Sequence, residues 1–180
     1  MDPRVHDVWE IAIIARSPGV PDSEFVWQLS PDVEAADPEA LEIGRFHQRR
    51  LAPSEGRYDA VRIEDGKPTE RMRHTEVLME VQDLLRGAHM VGAVPSFDAV
   101  MLTAMLQRCA LKTTWHHRLV CVETMAAAVL GWRVPQGLSK TAEALGLTVD
   151  PDAAHTALGD ARLARDVYDM VMAGPVGTHD

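Results

Sequence analysis

Short branched apolar runs alternate with amphipathic stretches along most of this chain, and that alternation limits its fold more than any other feature. VWEIAIIA, residues 8–15, is an apolar run bounded by polar residues, with Arg16 and SPG after it, which predicts a buried strand ending in a turn. EFVWQL, residues 24–29, predicts its antiparallel partner across the turn containing Pro18, Gly19 and Pro21. HMVGAV (89–94) and HRLVCVET (117–124) predict two further strands. Between them lie helical patterns. Asp37 as N-cap, Pro38 at the first helical position and Glu39 in the first turn start a helix in 37–51. A polar loop rich in Gly, Pro and charge follows. TERMRHTEVLMEVQDLLRG, residues 69–87, repeats Val77, Leu78, Val81, Leu84 and Leu85 at helical spacing and stops at Gly87. Ser96 can cap a helix through FDAVMLTAMLQRC, TMAAAVLGW is helical until Gly131, and SKTAEALG is a short helix from Ser139 to Gly146. The last helix covers about residues 156–172, with Thr156 as cap. A strand hairpin followed by strands alternating with helices predicts one α/β domain on a mixed sheet.

With 180 residues and 46% hydrophobic content, the chain suits a single domain over 1–173, with 174–180 a frayed tail. A formal charge of -9 argues against gripping nucleic acid by bulk electrostatics and leaves room for a local basic cleft. Cys109 and Cys121 lack CxxC spacing, so neither a disulfide framework nor a zinc site is indicated, and a reducing cytosol fits. No apolar run approaches the roughly 20 residues of a membrane span, and the start MDPRVHDVWE is unlike a signal peptide, so a cytoplasmic location is expected.

Chemistry concentrates where helices begin. In AHTALGDARLARDVYD, residues 154–169, an apolar stripe of Ala157, Ala161, Ala164, Tyr168 and Val171 has Asp160 on its margin. Asp98 stands one residue inside a helix that directly follows a strand, where ligands of open α/β sheets gather. Each acid also fits a solvated first-turn role, favoured by the helix dipole. His155 lies just before a helix N-terminus, where the dipole disfavours the cation, so a neutral ring able to accept a proton is expected. The other histidines, His6, His47, His74, His89, His116, His117 and His179, have no carboxylate at matching spacing, and most of them read as exposed loop residues.

GLSKTAEALGL followed by AHTALGDARLARDVY resembles the last helix pair and the H-x-A-x-x-D motif of the DEDDh family of 3′-to-5′ exonucleases. LLRGAHMVGAVPSFDAVML is similar to the family's second motif through Phe97 and Asp98, with Ala93 and Val94 where the family has His and Asn. VCVETMAA resembles the strand that ends in D-T, here Glu123 and Thr124, and WEIAIIARSPG resembles the second strand. The D-x-E motif of the first strand has no counterpart. Asp2 and Asp7 show no such pairing, and the expectation is that the natural product begins upstream of Met1.

The resemblance implies a ribonuclease-H-like mixed sheet flanked by helices, with the first, central strand absent. It implies Asp98 and Asp160 as ligands of two magnesium or manganese ions, His155 as general base, and Phe97, Arg162 and Arg165 against nucleic acid. RFHQRR, residues 45–50, is a further basic cluster beside the strand's path. The substrate class implied is the 3′ end of single-stranded DNA or RNA, with a homodimer or a polymerase as partner and no membrane. Two acids in place of four imply weak metal binding and little or no exonuclease activity. The competing expectation is a non-catalytic nuclease-like module that binds nucleic acid ends or a polymerase.

Overall fold

The structure is a computed structural model that describes residues 8–53 and 57–174. β1 (Glu10–Ser17) and β2 (Val20–Leu29) form the expected hairpin, with Ile11 opposite Trp27 and Ile13 opposite Phe25. The turn places Gly19 at φ 76°, a left-handed conformation that glycine adopts without a Cβ clash. β2 begins earlier than expected, because its exposed Val20–Glu24 half pairs with β1 although its composition is that of a turn.

The helix expected from Asp37 forms as α1 (Pro38–Ile43), with Asp37 Oδ1 accepting from Glu39 N at 2.9 Å. It stops at Gly44, and Arg45 at φ 52° redirects the chain into α2 (Phe46–Arg49). Most of the polar loop expected after it is instead a second hairpin, β3 (Ala60–Glu64) and β4 (Lys67–Met72). Asp65 at φ 49° and Gly66 at φ 72° make the two-residue left-handed turn whose twist suits a hairpin. β3 buries Ala60 and Val61, whereas β4 is exposed up to Met72, and its Thr69–Met72 half falls in the stretch expected to be helical.

α3 (His74–Leu84) starts after Arg73, whose backbone N–H and Glu76 form a capping box. It buries Val77, Leu78 and Val81. β5 (Val91–Gly92) and β6 (Val120–Cys121) pair in parallel, each far shorter than the run around it. α4 (Pro95–Arg108) is capped at Val94 with Pro95 in its first turn, so Ser96 lies inside the helix. α5 (Val122–Val129) takes in Glu123 and Thr124, which were expected to end a strand. α6 (Leu138–Ala144) and α7 (Ala157–Ala173) follow, the latter capped by Thr156 as expected.

One core lies between the antiparallel sheet and α3 and α4, around Trp27, Leu29, Leu78, Val81, Met105 and Leu106. A second joins α5, α6 and α7 through Val122, Ala126, Ala142, Ala164 and Val167. The antiparallel sheet runs in the order β1-β2-β3-β4, and β5-β6 is a separate pair. α7 packs against both β1 and β5, so its first turn lies where the two sheets approach one helix. Among the described residues no strand joins β1 to β5. This is the mixed α/β architecture that the resemblance implies. Asp2, Asp7 and the tail after Gly174 lie outside the described residues. Among those residues no helix is long and apolar enough to cross a membrane.

Candidate active site

Asp98 sits in the first turn of α4, directly after β5. Its side chain turns back over Gly92, leaving Oδ2 3.7 Å from where a Cβ at that position would stand. Asp160 sits in the first turn of α7, and its Oδ1 accepts from the backbone N–H of His155 at 3.2 Å. The strands and helices thus bring together residues far apart in sequence. Desolvation by the surrounding protein pushes the Asp98 carboxyl above the usual aspartate range against the opposing pull of a backbone hydrogen bond, and the negative charge of Asp160 adds to the rise. Asp160 is raised as well, by desolvation first and also by the charge of Glu10, against the opposing pull of the His155 hydrogen bond and of Arg49. Glu123, buried at the start of α5, is raised by burial.

His155 holds φ 62°, a left-handed conformation that costs a non-glycine residue energy and persists only where neighbours enforce it. Two neighbours do so here. Thr156 Oγ1 accepts from Gly159 N at 2.9 Å and donates to Ala153 O at 2.7 Å, pinning the loop to the helix. Gly159 lies so close under the loop that a Cβ there would stand 2.1 Å from Ala153 O. The turn that projects His155 is therefore held by a cap and by a glycine contact.

The raised carboxyls have a measurable consequence with a definite sign. A folded-state value above 3.8 means that the folded protein disfavours ionised Asp98, a penalty present at neutral pH and relieved as pH falls through the folded-state value. Asp98→Asn is expected to stabilise the protein at pH 7, by less than about 1 kcal/mol because water reaches the side chain and screens its interactions. Denaturant unfolding at pH 7 and again below pH 3.8 checks this: the advantage should vanish in acid, and a destabilised variant at pH 7 contradicts it.

The expected nucleic-acid contacts divide. Phe97, next to Asp98, is 46% exposed and presents a free aromatic surface. Arg162 is engaged with Glu24 at 2.8 and 2.5 Å, and Arg165 with Asp166 at 2.8 Å, with Asp22 and Glu24 3.9 Å away. The Arg162–Glu24 pair fastens α7 to β2, and neither guanidinium is free in this state. In the basic cluster, Arg45 donates to Asp152 O at 2.5 Å, Arg50 lies over the Phe46 ring and Arg49 turns inward to Glu10.

Glu10 escaped the sequence reading. Its buried carboxylate lies near Asp160 and accepts from Arg49, from Gln28 and from the backbone of Ala157. A charged residue inside an apolar strand run was the available signal.

A family model of exonucleases matches residues 37–168. The chain belongs to the exonuclease family. The match takes in Asp98, His155 and Asp160, and it makes the protein a nuclease hydrolase with a ribonuclease-H-like fold. No curated protein matches the chain. Exonuclease-family domains generally use divalent metals. Asp98 and Asp160 suit such an ion: carboxylate oxygens are its preferred donors, and its charge would relieve the repulsion between them. Among the described residues no group of three or more His, Cys, Asp or Glu side chains is placed to hold a metal. Asp98 and Asp160 lie near enough for the charge of Asp160 to raise the Asp98 carboxyl.

Proposed function

We propose that this exonuclease domain acts on 3′ ends of single-stranded DNA or RNA through metal-dependent, two-ion phosphodiester hydrolysis, with weak or no turnover from the chain as it stands. The observation that carries the reading is the pairing of Asp98 with Asp160 beside His155, whose own backbone is tied to the Asp160 carboxylate. Asp98 and Asp160 would hold magnesium or manganese. When bound, the metal supplies positive charge that makes water more acidic and offsets charge at phosphorus. His155, exposed at the loop crest, takes the proton of the attacking water. Phe97 offers a face on which a terminal base stacks. Two carboxylates hold two like-charged ions poorly, which is the reason for the low turnover. The domain works in the reducing cytosol, where Cys109 and Cys121 stay free thiols, with a second copy or a polymerase as partner.

A second reading is a non-catalytic module that binds nucleic acid ends, favoured by the lack of a third converging ligand among the described residues. Incubation of an end-labelled single strand with the protein and manganese separates the two. Slow loss of nucleotides from the 3′ end, abolished by Asp160→Asn, is the result expected of the enzyme. A strand that is retained in complex at full length, with Asp160→Asn binding equally well, selects the module. Robust magnesium-dependent shortening lost in Asp160→Asn contradicts the low turnover proposed.

A further inference from the structure

Glu10 is the first residue of β1, and its side chain is only 8% exposed. A buried carboxylate is tolerated when charge and hydrogen bonds satisfy it, and Glu10 has both. Arg49 Nη2 donates to its two oxygens at 2.5 Å each. Gln28, itself buried, donates from Nε2 to Oε1 at 3.2 Å and accepts from Leu51 N at 2.7 Å. Arg49 is in turn placed by Gly44 O at 2.8 Å and by the Trp9 ring, 5.0 Å below its guanidinium. The Glu10 Oε2 atom also accepts from Ala157 N at 2.9 Å, across 147 residues of sequence.

That last bond reaches the candidate site. Ala157 opens α7, between His155 and Asp160, and its N–H is one of the donors that a helix start leaves unsatisfied. Thr156 satisfies Gly159 N, so Glu10 supplies the acceptor that the cap does not. Arg45, the residue before α2, adds a second tie, to Asp152 O in the loop before His155. The oxygens of Glu10 are occupied by Arg49, Gln28 and Ala157, which leaves it no role as a metal ligand.

We infer that Glu10 is a positioning residue of this site: its carboxylate, held by Arg49, latches the start of α7 to β1 and so sets the spacing between His155 and Asp160. The α1–α2 segment is thereby coupled to the same turn, because it carries the arginine that fixes the latch. The inference rests on the proposed roles of His155 and Asp160, and its test separates the two. Amide hydrogen exchange of the full chain reads the latch without reference to activity, and manganese affinity reads its effect on the site.

In Glu10→Gln, which removes the charge that holds Arg49, exchange in residues 153–161 should rise about ten-fold, the equivalent of roughly one hydrogen bond, while α3 keeps its protection. Manganese affinity should fall in parallel. Glu10→Asp, which keeps the charge at shorter reach, should recover part of both. If Glu10→Gln does not fold, the double variant Glu10→Leu with Arg49→Met replaces the buried pair by apolar side chains and removes the latch. The same local rise in exchange is expected there. Unchanged exchange at 153–161, or an equal rise in α3, overturns the inference. An unaltered chain that binds no manganese overturns the proposed metal site, and the exchange result still decides the latch.

Discussion

Gly159→Ala is expected to destabilise the protein by about 3 kcal/mol, at the upper end of the cost of forcing atoms into a packed site. Alanine is the better helix former, and on propensity alone the change would stabilise α7 by about 1 kcal/mol. The added Cβ would stand 2.1 Å from Ala153 O and 2.7 Å from Thr156 Oγ1, and the first of these is backbone that no rotamer can move. The clash therefore outweighs propensity. Relief requires the loop to lift from the helix, which breaks the Thr156 cap and displaces His155 from its left-handed turn. Thermal or urea unfolding gives the magnitude, and a variant more stable than the parent contradicts the assigned geometry. Loss of manganese binding in the same protein is the functional counterpart.

Trp27→Ala should cost about 3–5 kcal/mol, the range for emptying a buried aromatic site, and that is a large share of a typical domain's stability. Trp27 is fully buried, stacks on Phe25 at 6.0 Å and donates Nε1 to Glu80 Oε2 at 3.0 Å. Trp27→Phe keeps most of the volume and loses the hydrogen bond, so it should recover most of the difference, leaving about 1 kcal/mol. Urea unfolding of the two variants separates packing from hydrogen bonding; equal losses in both contradict a packing role. The neighbouring Gln28 points to the other face of β2, where it serves Glu10, so one strand supports the core with one residue and the candidate site with the next.

Features set by local chemistry were legible in the sequence. Asp37 with Pro38, and Thr156 before the alanine stripe, start helices through bonds confined to a few residues, and both helices begin there. The apolar run of β1 and the turn at Gly19 are likewise local. The β3–β4 hairpin was hidden because KPTERM is charged and exposed and its last four residues run on into a helical pattern, and the Asp65-Gly66 pair was the turn signal available. β5 and β6 were overestimated because an apolar run does not say how much of it finds a ladder partner, and only Val91–Gly92 and Val120–Cys121 pair. In the site, Asp98, His155 and Asp160 were readable as single residues at helix starts. The engagement of Arg162 with Glu24, 138 residues away, and of Glu10 with Ala157 was not, because those partners meet only through the fold.

Manganese titration of the full chain, followed by calorimetry or electron paramagnetic resonance, tests most directly the claim that Asp98 and Asp160 together form the metal-holding part of this nuclease site. The site should bind metal weakly, with a dissociation constant on the order of 1 mM, at the weak end for carboxylate sites. Binding should be lost in Asp98→Asn and in Asp160→Asn alike, and should strengthen as pH rises through the raised range of both carboxyls. Binding that survives either substitution, or tight uptake of two ions, contradicts it.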